Sequence, residues 1–318
     1  MANSPEIRLI TKVARLYHEQ KLTQSEIAKR LGISQVTVSR LLKRAEEYDI
    51  VKTTVTSPPG AFVELEEQIE KKFDLSQVII GEAGRDSEEQ ILTAIGSAAA
   101  HFLETTVTSG DVIGVSSWSA SLLSMVEQMH PIRKLENCKV VQILGGLGNP
   151  SAEKHANHLV TRLARLVRGE ALFLPAPGIL GAANSVKVLL KDPYIKGIYD
   201  TFSAITVALV GIGSVEPSSL VASSGNVFGA NELTEIRRRG AVGDICLRFY
   251  GEDGLEISDP AGTRVIGLDL ETLKKIPRAV GIAGGKRKVS AILGALRGKH
   301  INLLVTDQYT AERLIKQS

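Results

Sequence analysis

Residues 22–44 read L-T-Q-S-E-I-A-K-R-L-G-I-S-Q-V-T-V-S-R-L-L-K-R, two short amphipathic stretches joined by a glycine. Thr23 with Glu26 three residues on has the form of a capping box, and Ser34 stands where a second N-cap belongs. Ala28 is small enough to let two helices approach, Gly32 can take the positive φ that ends the first, and Val38 and Leu41 fall on the inner face of the second. The pattern predicts a helix-turn-helix whose second helix, over residues 35–48, lays its N-terminal side chains against base edges in the DNA major groove. Gln35, Thr37 and Ser39 are the candidate readers, because Gln pairs bidentately with adenine and Thr meets either a thymine methyl or a hydrogen-bonding edge. Arg40, Lys43 and Arg44 suit phosphate or guanine, and Thr23 and Val36 complete the expected DNA-binding set. The competing reading is a helical hairpin that binds protein or nothing.

Upstream, residues 7–20 carry Ile10, Val13, Ala14 and Tyr17 at helical spacing, which predicts a helix packed behind the pair. Downstream, Ser57-Pro58-Pro59-Gly60 cannot continue a helix. The expected division is therefore a helix-turn-helix domain over 1–56 and a larger domain over 57–318. Residues 62–73 resume an amphipathic helix, with Leu65, Ile69 and Phe73 on one stripe, suited to linking domains or pairing subunits.

The chain has 318 residues, 43% of them hydrophobic and 23% charged, enough for at least one large core. A net charge of +3 is too small for a general polycation, so the expected partner, double-stranded DNA, meets a local basic surface. Cys138 and Cys246, far apart and without C-x-x-C spacing, support neither a zinc site nor a disulfide framework and read as buried thiols in a reducing cytosol. There is no charged-then-apolar leader and no apolar run of the ~18 residues a membrane span needs. The expectation is a cytoplasmic protein without membrane contact, cofactor or metal.

Beyond residue 77 short β-branched runs alternate with helical stretches, the pattern of βαβ units around a largely parallel sheet. Strands are expected over 77–80, 111–115, 139–144, 171–174, 205–210, 245–250, 264–268, 279–283 and 302–306. Helices are expected over 87–105, 120–129, 151–167, 231–239, 289–297 and 311–317. The fold class is α/β, a helix-turn-helix head with a Rossmann-like domain behind it.

Ligands of open α/β sheets sit at the carboxyl ends of strands, where backbone N–H groups and helix dipoles point. The loop after residue 115 is rich in hydroxyls and offers Ser117, Trp118, Ser119 and Ser121. After residue 144 come Gly145, Gly146 and Asn149, where glycine lets backbone approach a ligand. The competing reading of each loop is a plain tight connection, which a glycine turn after a strand more often is. Gly284 and Gly285 precede Lys286, Arg287 and Lys288 at a helix start, where cations oppose the dipole; Lys288 has the reach to serve an anionic ligand, the alternative being solvated surface charge. Asp244, ahead of an expected strand, offers a carboxylate to sugar hydroxyls or caps a turn. Trp118, the one tryptophan, stacks on a sugar face or plugs the core. Residues 175–178 and His155, Asn157 and His158 are further cleft candidates; the two histidines lack a third partner for a metal.

Taken in order, the helix-turn-helix, Gly145-Gly146, Val210-Gly211-Ile212-Gly213, Gly240-Ala241-Val242-Gly243-Asp244, Ala283-Gly284-Gly285 with Lys288, and Leu304-Val305-Thr306-Asp307 with Thr310-Ala311 resemble the SorC family of bacterial transcriptional regulators over nearly the whole chain. The resemblance implies an effector domain similar to sugar-phosphate isomerases and glucosamine-6-phosphate deaminases, a sugar, polyol or sugar-phosphate effector, and a homo-oligomer, usually a tetramer. It places Lys288 and the glycine turns near the effector phosphate and Asp244 near sugar hydroxyls. Many members carry Gly-Arg-Thr in the first ligand loop, where this chain has Trp118-Ser119-Ala120-Ser121, a departure that points to a different effector. The expected function is a regulator, a repressor of a carbohydrate or polyol operon, and not an enzyme. The alternative is an isomerase or deaminase, for which Asp111, Asp244 and His155 are acid–base candidates that no spacing ties together.

Overall fold

The computed structural model describes residues 5–51, 61–147, 150–217, 222, 225, 228–257 and 262–317, without the side chains of 150–156 and 262. The Ser57–Gly60 boundary, Gly148, Asn149 and the His155 side chain lie outside the described residues. The chain forms two compact units, Met1–Pro58 and Pro59–Ser318.

The first unit holds helices α1 (Pro5–His18), α2 (Gln24–Leu31) and α3 (Gln35–Glu47). The start of α2 closes a reciprocal cap: the Thr23 N–H donates to Glu26 Oε2 at 2.8 Å while Thr23 Oγ1 accepts from the Glu26 N–H at 3.3 Å. Gly32 ends α2 at φ 66° and donates its N–H to the Ala28 carbonyl. Ser34 caps α3 by accepting from the Thr37 N–H at 3.0 Å. One small core, with Ile10, Val13, Ile27, Ala28, Val38 and Leu41 in it, joins the three helices. Leu16 takes the inward place expected of Tyr17, which is exposed.

The second unit is built on a seven-stranded sheet of β1 (Gln77–Gly81), β2 (Val112–Val115), β3 (Lys139–Gln142), β4 (Glu170–Leu172), β5 (Val207–Gly211), β9 (Arg278–Ile282) and β10 (Leu303–Asp307), in the order β1-β10-β9-β5-β2-β3-β4. Every pairing is parallel, as in Ile113↔Val207 and Val207↔Arg278. Side chains alternate between two cores: Val141, Ala208 and Val210 face one, Val140, Val207 and Leu209 the other. That division is why these strands read as unbroken apolar runs. Connecting helices include α5 (Glu88–Thr106), α6 (Ala120–Gln128) and α7 (Pro150–Leu166).

Helix α4 (Val63–Phe73) covers the β1 edge, its Glu70 and Glu66 carboxylates accepting from the Val78 N–H at 2.7 Å and the Ile80 N–H at 2.8 Å. An edge strand's open donors are thereby satisfied without a further strand. At the amino ends of the sheet, Asp111 accepts from Arg278 Nη2 at 2.7 Å, Thr206 Oγ1 at 2.6 Å and the Thr108 N–H at 2.8 Å, tying β2, β5 and β9 together.

Two expectations need correction. Residues 245–250 are not one strand: β7 (Ala241–Ile245) and β8 (Arg248–Gly251) form an antiparallel hairpin, with β6 (Gly213–Ser214) beside β7. The turn between them holds Cys246 and Leu247 at φ 52° and 63°, and no Asn or Gly marks it in the sequence. Asp244 therefore lies within β7 rather than ahead of a strand. Residues 264–268 likewise make only isolated bridges, Val265 to Ile179 and Gly267 to Leu144. Helices α8 (Ala183–Leu189) and α9 (Pro193–Asp200) were not expected, although Asp192 caps α9 ahead of a proline at its first turn. Downstream lie α10 (Ala230–Arg238), α11 (Leu270–Leu273), α12 (Val289–Arg297) and α13 (Gln308–Lys316).

Candidate functional site

Neighbouring strands β2 and β5 send the chain in opposite directions, toward β3 and β4 on one side and toward β9 and β10 on the other. The crevice outside their carboxyl ends is where an open α/β sheet takes a ligand. A cavity of about 120 Å³ lies there, between Ser116 and Ser119 after β2, residues 211–217 after β5, the β7–β8 turn, and Arg287 and Lys288. Since one water needs roughly 10–15 Å³ of such space, it has room for a small molecule of the order of ten heavy atoms. Trp118, Leu144, Phe228 and Phe249 form apolar walls.

Asp244 and Lys288 both face this cavity and are half-buried. Burial pushes the Asp244 carboxyl up to about 6, although it accepts from the Leu247 N–H at 3.0 Å and feels Lys288. Burial pulls the Lys288 ammonium below its usual range, with Asp244 opposing that shift. The two charges attract without hydrogen bonding to each other. Arg287 stands at the rim, 2.8 Å from Glu88. The Cys246 thiol, on the turn, is pushed up to about 12 by burial and by Asp244, which keeps it a neutral wall group.

Gly213 allows the carboxylate its place: a Cβ there would stand 2.0 Å from Asp244 Oδ1. Gly213→Ala is expected to weaken effector binding at least tenfold while shifting the melting temperature little, because a short side chain must swing out of the cavity rather than a core repack. Equal affinity in both forms, measured by calorimetric titration, would show that Asp244 does not touch the effector.

Of the expected effector residues, Trp118, Ser119, Asp244 and Lys288 line the cavity. Trp118 is buried with its Nε1 donating to the Gly145 carbonyl at 3.3 Å, so only the ring is offered. Ser119 caps α6, accepting from the Leu122 N–H at 3.3 Å. Ser117 lies elsewhere, its hydroxyl buried and donating to the Leu144 carbonyl at 2.6 Å; Ser121 is buried inside α6. Gly145 donates its N–H to Ile266 at 2.9 Å, and Gly146 borders a separate hollow of about 210 Å³ with Asn157, Phe173 and Pro175. Gly284 packs against Asp307, whose carboxylate caps α13, and Gly285 donates to Thr310 Oγ1 at 2.7 Å. Ser116, in the expected hydroxyl-rich loop, also lines the cavity, as do Glu216 and Phe228, which were not expected there. Glu216 lies just beyond the Val210–Gly213 run, which held a partial signal for it, whereas only packing brings Phe228 to the wall.

On α3, Gln35, Val36, Ser39, Arg40 and Lys43 are exposed. Thr23 and Thr37 spend their hydroxyls locally, Thr23 on Glu26 Oε2 at 2.7 Å and Thr37 on Ser34 Oγ at 2.8 Å. Arg44 turns back to Glu6 and to the Tyr48 hydroxyl, away from a phosphate role. Arg8, Lys12, Arg15 and Arg30 line a groove of about 580 Å³ on the same unit. Among the described residues no three His, Cys, Asp or Glu side chains converge on a metal position, and no helix is long and apolar enough to cross a membrane. Asp111, weighed as a catalytic acid or base, sits at the opposite end of the sheet from the cavity and is consumed by its hydrogen bonds.

A family profile described as "Putative sugar-binding domain" matches residues 57–316, and one described as "Sigma-70, region 4" matches residues 11–47. The chain is 34% identical to the sorbitol operon regulator of Klebsiella pneumoniae, over 99% of this chain and 100% of that protein. It is 31% identical to the deoxyribonucleoside regulator of Bacillus subtilis, over 97% of each. The crystal structure of the full-length Klebsiella regulator SorC matches with a TM-score of 0.74 at 33% identity, covering 98% of this chain and all of that one. The sugar-binding domain of a regulator from Pseudomonas syringae matches with a TM-score of 0.64 at 38% identity, covering 80% of this chain and 99% of that one.

Proposed function

This chain belongs to the SorC family of sugar-responsive transcriptional regulators, and on that premise we propose that it is a cytoplasmic repressor of a carbohydrate or polyol operon whose effector is a phosphorylated sugar or polyol bound between Asp244 and Lys288. The observation that carries the effector assignment is a lysine held in an aromatic-walled cavity with an acidic group, at the switch point of the sheet. Lys288 and, at the rim, Arg287 neutralise the anion, Asp244 accepts from sugar hydroxyls, and the Trp118 ring packs on the sugar face. On the other unit, Gln35, Val36 and Ser39 meet base edges while Arg40 and Lys43 meet phosphates. Effector binding shifts a homo-oligomer, a tetramer in this reading, between arrangements that space its reading heads differently against operator half-sites.

The relatives are regulators, and the spent Asp111 removes one partner that proton transfer would use, so we place this protein among non-enzymes. Incubation with ribose 5-phosphate or glucosamine 6-phosphate checks this, with no turnover expected.

Trp118 makes occupancy readable, being the only tryptophan in the chain and part of the cavity wall. Titration with hexitol phosphates, free hexitols and inorganic phosphate should change its fluorescence for a phosphorylated polyol at lower concentration than for the free one. A response to free polyols alone would remove the anionic group from the proposal, and operator affinity indifferent to every bound effector would remove regulation.

The pH dependence has a definite sign. A hydroxyl-binding Asp244 must be ionised, so affinity should be level above neutrality and fall about tenfold per unit once pH drops below about 6. Phosphate itself titrates near there, so the comparison is with Asp244→Asn, which should be weaker throughout and keep only the phosphate inflection. The empty protein responds oppositely: a carboxyl raised from 3.8 to about 6 adds stability that is complete below about 4 and gone above about 6. Identical inflections in both forms would take Asp244 out of the site.

A further inference from the structure

Val36 is 79% exposed in the first turn of α3. Two residues on, Val38 is fully buried, so the helix has already supplied its apolar face and Val36 points the other way. A β-branched side chain on solvent lowers helix propensity and here packs against no core. It stands among exposed polar and basic groups: Gln35 beside it, Arg40 one turn on and Lys43 two turns on. The Thr37 methyl is a poorer candidate for an apolar contact to DNA, since Thr37 is half-buried and fastened to Ser34 through its hydroxyl.

The major groove presents one apolar feature, the C5-methyl group of thymine, against a background of hydrogen-bond donors and acceptors. We infer that Val36 packs on a thymine methyl and selects a T·A pair at one position of each half-site. The inference rests on reading α3 as the recognition helix and adds a specificity-determining residue to it. Gln35 and Ser39 supply hydrogen bonds on either side, while Arg40 and Lys43 set the register through phosphates without choosing a base.

The test uses the full-length protein. A duplex is first selected from a random pool, and each of its thymines is then replaced singly by deoxyuridine, which removes only the methyl group. Binding is followed by fluorescence anisotropy at several salt concentrations. One thymine per half-site should be sensitive, its replacement weakening the wild type about fourfold, the effect of one buried methyl group. Val36→Ala should lose about as much on the thymine duplex, lose nothing more on the deoxyuridine duplex, and keep the wild-type salt slope, since no phosphate contact changes. Alanine is the better helix former, so α3 stays folded in the variant. A wild type indifferent to every deoxyuridine, or a penalty that persists in Val36→Ala, would overturn the assignment. A selection that enriches no sequence would instead overturn the recognition-helix reading beneath it, and the assignment with it.

Discussion

Lys288→Met is expected to weaken binding of the proposed phosphorylated effector about a hundredfold or more and to leave operator binding intact, producing a regulator whose DNA binding no longer responds to it. Truncating one member of a desolvated, hydrogen-bonded charge pair costs roughly 2–5 kcal/mol, and 2.7 kcal/mol is already a factor of about 100. Methionine keeps the length and apolar stem of lysine, so packing is conserved while the charge is lost. The empty receptor should not suffer. Lysine in this cavity is held below its usual pKa by burial, and replacing a poorly compensated buried charge by an apolar group is often neutral or stabilising. Asp244 loses the one opposing charge that draws it down, so the inflection near pH 6 should move upward in the variant. Thermal shift with and without a saturating polyol phosphate separates the effects: the wild type gains about 2.7 kcal/mol at a hundred times the dissociation constant, and Lys288→Met gains almost nothing. A variant that binds the phosphate within threefold of wild type would mean that the anion is recognised elsewhere.

Asp111→Ala should act on the same domain in the opposite way, through stability and without altering effector affinity. The carboxylate is 5% exposed and holds Arg278, Thr206 and Thr108 at the amino ends of β2, β5 and β9. Removing it strips a partly buried guanidinium of its counter-charge, leaving Arg278 only the Thr106 carbonyl and Thr206 only a long bond to the Val112 carbonyl, and breaking a buried ion pair costs about 3–5 kcal/mol. For a domain of this size that is a fall in melting temperature of roughly 10 °C. Asp111→Asn keeps the shape and some of the hydrogen bonds and should fall between. Calorimetric unfolding of the three forms gives the order, and effector titration well below the lowered transition should give the wild-type constant. A loss of affinity in proportion to the loss of stability would mean that the two ends of the sheet are coupled.

Legibility in the sequence followed the range of the interactions concerned. The head was readable nearly to the residue because its signals are local: Thr23 and Glu26 close a cap across three positions, and Gly32 supplies a left-handed turn wherever the chain lies. The parallel strands were readable because burial on both faces leaves continuous apolar runs. The β7–β8 hairpin was not, since its turn is made by Cys246 and Leu247, residues that adopt positive φ only when surrounding structure holds them there. Thr37 and Ser117 were plausible binders as hydroxyls, one on α3 and one in the loop after β2; the structure shows those hydroxyls already engaged, Thr37 by Ser34 and Ser117 by Leu144.

By itself, then, the chain determined a DNA-reading head, an α/β receptor and the cationic loop at residues 286–288, because caps, turns and apolar periodicity act over a few residues. Which loops meet around one cavity was decided only by the tertiary structure. Asp244 and Lys288 are 44 positions apart in sequence and share a cavity because the order of strands brings the β5 exit, the β7 hairpin and the start of α12 together, and a strand order is a property of the packed sheet that no local spacing records.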